Sequence, residues 1–93
     1  MKKLAASKQF QKQLKKLPPR DQNKVAAVLK AFLEYLHPGN LRAGLGFKKI
    51  NGDKHEVRVD LHTRIVMKLE GDTFVCHLVG NHDAVRRYLR DYR

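Results

Sequence analysis

The chain has 93 residues, of which 42% are hydrophobic, and its 20 lysines and arginines against nine acids give a formal net charge of +11. This length fits one small domain, which we take to span residues 1–93, and the apolar content is too high for a disordered segment. No apolar run approaches the roughly 20 residues of a membrane-spanning helix, and no signal-peptide core follows the N-terminus.

The charge and the single cysteine narrow the partners and the compartment. A strongly basic chain predicts phosphate backbones or an acidic protein as its partner, with a solvated basic surface as the plain alternative. Because Cys76 is the single cysteine, the chain has no internal disulfide, which fits a reducing cytoplasm. We expect Cys76 to be a small side chain in the core.

Two helices are predicted in the first half. Residues 7–17 place apolar side chains at helical spacing opposite lysines and glutamines, and the Pro-Pro pair that follows ends this helix. Residues 20–36 repeat the pattern, and His37-Pro-Gly-Asn is a stop signal. We expect an antiparallel helical hairpin with one apolar side. The segment before Ser7 is either a short edge strand or a frayed start.

The second half changes to the period of a strand. FKKI leads into Asn51-Gly52, a strong hairpin signal, and HEVRVDL and TRIVMKLE alternate between apolar and polar residues. TFVCHLVG is more uniformly apolar, which predicts a central strand. The tail from Asp83 is helix-like, with Asp83 as its cap. The short connections predict an α+β domain: a helical hairpin packed on one face of a twisted antiparallel sheet of three to four strands, with a short C-terminal helix.

The alternation predicts which side chains the helices leave uncovered. Glu56, Arg58 and Asp60 should share that face, while Val57, Val59 and Leu61 face the core. Arg64 and Lys68 should project beside them, and His77 could join them. One arginine on such a face is usually only solvated. Several basic groups converging next to His82 favour a functional surface.

Other site types are not supported by the sequence. The five histidines show no HxxxH or HxH spacing, so we expect no metal site. GLGFKK lacks the spacing of a phosphate-binding glycine loop, and we expect no cofactor.

The order of two helices, FKKINGDKHEVRVDL, and TRIVMKLEGDTFVCHLVGNHDAVRRYL resembles the RelE/ParE superfamily of bacterial toxins from type II toxin–antitoxin modules. The resemblance covers nearly the whole chain, and its most specific parts are VRVDLHTRIVM and HLVGNHDAVRRYL. It implies a RelE-like endoribonuclease that cleaves messenger RNA at the ribosome without a metal, inhibits translation, acts in the cytoplasm, and is neutralised by an acidic antitoxin.

The resemblance also implies site residues. Its catalytic positions fall on Arg58, Arg64, His82 and Tyr88. The expected RNA-binding positions are Lys48, Lys49, Lys54, Lys68, Arg86 and Arg87, for which a solvated surface is the alternative.

These residue types fit RNA cleavage by the 2′-hydroxyl. The reaction needs a proton removed from the hydroxyl, charge stabilised on a pentacovalent phosphate, and a proton given to the leaving oxygen. Histidine titrates near neutrality and suits either proton role. Arginine forks hold phosphate oxygens, and Tyr88 could stack on a base or share a proton transfer.

The chain departs from the family pattern at several positions. Glu56 and Asp60 stand where ribonuclease members often carry a base, His62 is an extra titratable group, and Asp83 stands where some members have an aromatic residue. An acid beside Arg58 would repel RNA unless it acts as a general base or orients that arginine. Two alternatives therefore stay open: a non-catalytic ParE-like toxin that inhibits DNA gyrase, and a nucleic-acid-binding accessory domain of a larger protein.

Overall fold

The computed structural model describes residues 3–36 and 46–91, so the predicted stop at His37 lies outside the described residues. The described part contains, in chain order, β1 (Lys3–Ala6), α1 (Lys8–Lys16), α2 (Pro19–Leu36), β2 (Phe47–Asn51), β3 (Lys54–Arg58), β4 (Arg64–Glu70), β5 (Thr73–Gly80) and α3 (His82–Asp91). The predicted α+β class, with two helices before the sheet and a short helix after it, is confirmed. None of these helices is both long and apolar enough to cross a membrane.

The strands form one five-stranded sheet in the order β1-β5-β4-β3-β2. Strands β2 to β5 form the predicted antiparallel meander. The segment before Ser7 is an edge strand, and β1 pairs with β5 in parallel, which makes the sheet larger than expected and mixed. Backbone hydrogen bonds from Lys3 N to Asp72 O (2.8 Å) and from Ser7 N to Cys76 O (3.0 Å) fix the two ends of β1. Strand β5 is interior, as predicted, but β4 is the middle strand.

Helices α1 and α2 cover one face of this sheet. The Ser7 hydroxyl caps α1 by accepting a hydrogen bond from Phe10 N at 3.1 Å. Helix α2 begins at Pro19, where a missing N–H is harmless. Phe10 and Phe32 project from the two helices and are almost fully buried against apolar residues of the inner strands, namely Val57, Ile65, Met67, Phe74, Cys76 and Val79.

A histidine lies among the aromatic rings of this core. His55 stacks on Phe47 with ring centroids 5.4 Å apart and an interplanar angle of 3°, and it meets the edge of Phe74 at 5.1 Å. Burial lowers the pKa of its imidazole, a shift opposed in part by its contact with the carbonyl of Asp53. His55 is therefore a structural, buried side chain, and the sequence pattern did not single it out.

Strand β3 is shorter than predicted, because the chain turns after Arg58. The carboxylate of Asp60 accepts hydrogen bonds from His62 N (2.9 Å) and Thr63 N (2.8 Å), and its other oxygen lies 3.3 Å from Lys24 Nζ on α2. The backbone bond from His62 is the main reason that the pKa of Asp60 is lowered.

This turn corrects two sequence expectations. Asp60 pairs with a residue of α2, so the expectation that it shares the uncovered face with Arg58 is wrong. Leu61 is 77% exposed, so the expectation that it packs in the core is also wrong. In both cases the strand period was extended past the residue at which the strand ends.

Candidate active site on the outer face of the sheet

The face of the sheet opposite α1 and α2 carries the polar residues of β3 and β4, and we call it the outer face. Cross-strand pairing defines its rows. Lys54 lies opposite Lys68, Glu56 opposite Val66, and Arg58 opposite Arg64. The predicted alternation of these two strands is correct up to Arg58.

Arg58, Arg64 and Gly80 are directly paired across β3, β4 and β5, and we call this the arginine row. Directly opposed residues of adjacent strands have Cα atoms about 5 Å apart, so the side chains of Arg58 and Arg64 leave the sheet next to each other. Arg58 is exposed, while the side chain of Arg64 is only 19% exposed. Like charges opposed in this way repel each other, so the pair requires a compensating charge.

Gly46 supports the exposed end of this row. Its carbonyl oxygen accepts a hydrogen bond from Arg58 N at 3.2 Å, and its φ of 74° lies in the left-handed region. A Cβ at this position would lie 2.9 Å from the Cβ of Arg58. Only glycine therefore allows the backbone at position 46 to lie this close to the base of the Arg58 side chain.

Glu56 supplies the compensating charge. Its side chain is 9% exposed, with Oε1 3.8 Å from Arg64 Nε and Oε2 3.7 Å from Lys48 Nζ. The carboxylate is therefore paired with both Arg64 and Lys48. The Nη1 atom of Arg64 is buried and has no hydrogen-bond acceptor among residues 3–36 and 46–91, so this ion pair is the contact that orients the guanidinium.

His82 lies just beyond the other end of the arginine row. It is the exposed first residue of α3, two residues after Gly80 and so within about 8 Å of it along the chain. A Cβ on Gly80 would lie 2.8 Å from the Cβ of Ala84, so the glycine lets α3 turn back closely at the end of β5. The chain connection therefore keeps the backbone of His82 near the Gly80 end of the row.

The cap of α3 differs from the prediction. Asn81 Oδ1 accepts a hydrogen bond from Ala84 N at 2.9 Å, which makes Asn81 the capping residue. Asp83 lies in the first turn, where its charge favours the helix dipole. The expectation that Asp83 is the cap is therefore wrong by two positions, because an asparagine immediately before the helix competes better for the free amides.

Tyr88 lies in a different environment from the arginine row. It is half-buried on α3 and lines a shallow groove of about 170 Å³ between α1 and α3. The other residues that line this groove are Gln9, Leu78, Ala84, Arg87 and Asp91. The groove contains neither arginine of the row, and the catalytic role of Tyr88 stays a prediction.

The remaining expected RNA-binding residues differ in exposure and in the face of the sheet to which they belong. Lys54 is almost buried, and Lys54 Nζ and Lys68 Nζ lie 3.6 and 3.9 Å from the carboxylate of Asp53. In the β2–β3 register Lys49 lies opposite His55, whose ring is in the core. Lys49 is therefore on the helix-covered side of the sheet, whereas Lys48 is on the outer face.

The other end of the outer face is shaped by α3 and a bulge in β5. Arg86 and Arg87 are exposed on α3, which packs against β5 and β4. The bulge places His77 as the extra residue of β5, with its Nε2 3.3 Å from Glu70 Oε2.

Cys76 and the possible metal ligands add no reactive centre to the described part of the chain. Burial raises the pKa of the Cys76 thiol to about 12, which keeps it protonated and unreactive. Among residues 3–36 and 46–91, no three histidine, cysteine or acidic side chains are grouped so that they could hold a metal ion. The outer face carries the guanidinium groups of Arg58 and Arg64, a residue type that suits a phosphate ligand, and the exposed His82 follows the end of β5.

No protein-family model matches the chain, and no curated protein matches it in sequence. Solved structures do match its fold. A chain of the RelB-RelE antitoxin–toxin complex from Methanococcus jannaschii aligns over 90% of this chain and 96% of that chain, with a TM-score of 0.68 and 22% identity.

Two further structures agree with this match. YafQ in the Escherichia coli DinJ-YafQ complex aligns with a TM-score of 0.64 and 18% identity, over 91% of this chain and 98% of that one. A chain of the YoeB-YefM complex from Staphylococcus aureus aligns with a TM-score of 0.61 and 14% identity, over 88% of this chain and 98% of that chain. The resemblance to the RelE/ParE superfamily is thereby confirmed at the level of the fold, since the chain has the fold of RelE-like toxins along nearly its whole length.

Proposed function

We propose that this chain is a RelE-like toxin that cleaves messenger RNA at the ribosome, without a metal, and is neutralised by an antitoxin. The observation that carries the proposal is the arginine row with His82 at its end. Two paired arginines on the outer face, and an exposed histidine two residues beyond the end of the row, are residue types that suit phosphodiester cleavage.

Each of these groups has a role in the proposed reaction. Arg64, held by Glu56, and Arg58 bind the non-bridging oxygens of the scissile phosphate and stabilise the added negative charge of the pentacovalent state. His82 exchanges a proton with the 2′-hydroxyl or the leaving 5′-oxygen.

The antitoxin follows from the fold and the charge together. Three of the solved structures with this fold are the RelB-RelE, DinJ-YafQ and YoeB-YefM complexes. A formal net charge of +11 suits an acidic partner segment laid over the outer face, where it would occupy the space of RNA. Such a segment could be disordered before binding and order on the toxin surface.

The test is cleavage of messenger RNA on translating ribosomes by the purified protein. The His82→Ala variant should lose most activity, because general acid–base catalysis contributes about 10²–10⁴-fold. The matched control is His62→Ala, which removes an exposed imidazole from the β3–β4 turn without touching its backbone bond to Asp60. If the wild-type protein and the His82→Ala variant are equally inert, the ribonuclease assignment is refuted. Equal cleavage by both would instead remove His82 from the site.

The non-catalytic ParE-like alternative has one observation in its favour. Glu56 neutralises part of the arginine row, and Tyr88 lines a groove of its own. Inhibition of DNA supercoiling in vitro, without RNA cleavage, would select this alternative. Measuring bacterial growth while the protein is expressed separates the two toxin hypotheses from an accessory domain. Either toxin should arrest growth unless its antitoxin is supplied, whereas an accessory domain should not.

A further inference from the structure

Helix α1 presents a stripe of lysines that the proposed cleavage site does not use. Four exposed lysines on its outer side, which we call the lysine stripe, are Lys8, Lys12, Lys15 and Lys16. At 100° per residue these positions lie within about 100° of one another around the helix, and they span roughly 12 Å along its axis. They face away from Phe10, which fixes the helix in the core at 1% exposure.

The lysine stripe has no acidic counterpart in the described part of the chain. Within residues 3–36 and 46–91, no carboxylate lies within 4.0 Å of any of its four amines, whereas Lys24, Lys48, Lys54 and Lys68 all have such a partner. The first acid in the chain is Asp21, and its neighbour Arg20 pairs with it at 4.0 Å. The stripe therefore keeps its full positive charge.

Helix α1 holds these charges on a rigid support. Besides the burial of Phe10, Gln13 Oε1 accepts a hydrogen bond from Val79 N at 2.9 Å, and Gln11 Nε2 donates one to Ala6 O at 3.1 Å. These bonds tie α1 to β5 and to the end of β1. A fixed helix holds the origins of the four side chains at constant spacing.

The charge continues from α1 onto α3. Gln9 lines the groove between the two helices, and exposed Arg87 lines the same groove from α3. Since Gln9 is adjacent to Lys8 and lies on the side of the helix next to Lys12 and Lys16, the stripe borders this groove. Arg87 therefore adds a positive charge on the α3 side of the groove, which Asp91 also lines.

We infer that the lysine stripe, with Arg87, is a second RNA-binding surface, which holds the phosphate backbone of helical RNA while the outer face acts on a separate strand. The outward positions of α1 are lysine and glutamine only, with no exposed aliphatic or aromatic residue. Protein interfaces have an apolar centre and are depleted in lysine, whereas phosphate backbones are bound by lysine and arginine. An acidic protein is therefore the less suitable partner for this surface.

The experiment measures binding rather than cleavage, on a His82→Ala background. The Lys8→Gln/Lys12→Gln variant is compared with Lys3→Gln/Lys30→Gln, which removes the same charge from exposed positions on β1 and α2. Glutamine has nearly the helix propensity of lysine, so α1 should stay folded, which circular dichroism verifies. The probes are an RNA duplex of about 16 base pairs, a single-stranded RNA, and polyglutamate.

The stripe variant should bind the duplex roughly tenfold more weakly, and its slope of log K against log salt should fall by about one per lysine. The control variant should change little. The inference is overturned if both variants weaken equally, if the duplex does not bind, or if the stripe variant loses only polyglutamate. Since no probe is cleaved, a failed ribonuclease assignment leaves this result readable.

Discussion

Replacing Glu56 with glutamine tests the electrostatic account of the outer face. The carboxylate is 9% exposed and lies 3.8 Å from Arg64 Nε and 3.7 Å from Lys48 Nζ. At an effective dielectric constant of about 20, two unit charges this far apart attract by roughly 4 kcal/mol. Desolvation of the buried carboxylate offsets much of that attraction.

The two ion pairs should contribute unequally. Lys48 is 69% exposed, so its pair adds at most about 1 kcal/mol. Arg64 is 19% exposed, and removing one partner of a buried pair costs about 3–5 kcal/mol. Glutamine keeps the side-chain volume and one acceptor oxygen, so we expect a loss of about 2 kcal/mol in the free energy of unfolding. In a domain of this size that lowers Tm by about 10 °C.

Urea and thermal denaturation measure the effect, with Glu34→Gln on the exposed side of α2 as the control. A double-mutant cycle with Arg64→Gln isolates the pair. If Glu56→Gln costs as much in the Arg64→Gln background as in the wild type, the ion pair does not stabilise the fold, and the account is refuted.

The same variant separates binding from turnover. Loss of the negative charge should strengthen RNA binding by the outer face, while the freed Arg64 guanidinium should lower kcat by roughly tenfold, equivalent to about 1.4 kcal/mol. A fall in RNA affinity would contradict this expectation.

Three further expectations concern single residues. Asn81→Ala removes the side-chain acceptor for Ala84 N and should cost about 1 kcal/mol, with faster amide exchange confined to the first turn of α3; unchanged exchange there would exclude Asn81 as the cap. The pKa of His55 is lowered in the fold, so the unfolded chain binds the proton more readily than the folded chain. The free energy of unfolding should therefore be unaffected by this group above the unfolded pKa of about 6.5 and should decrease as pH falls below it. Urea titrations at several pH values should show a smaller decrease for His55→Phe than for the wild-type protein. Cys76, with a pKa of about 12 and no exposed surface, should react with an alkylating reagent only at the rate of unfolding, and rapid labelling of the native protein would show that β5 opens locally.

The sequence alone determined the elements of this protein and the side to which most of their residues point. The 3.6-residue period of α1 and α2 and the two-residue period of β3 and β4 are local properties, and an alternating strand has one polar face whatever its neighbours are. That is why the shared face of Arg58 and Arg64 could be predicted. The cap at Asn81 is also a local signal, because an asparagine directly before a helix is a preferred capping residue.

The tertiary structure decided what depends on contacts between distant segments. No local pattern in Lys3–Ala6 predicts a parallel partner in β5. Pairing of β3 with both β2 and β4 buries Glu56 between Lys48 and Arg64, so the acid that was expected to repel RNA is paired with two basic side chains. Packing of α3 beside α1 places Tyr88 in a groove rather than in the arginine row. Charge and hydrophobic periodicity are properties of the local sequence, whereas burial and ion pairing arise only after the strands and helices have packed together.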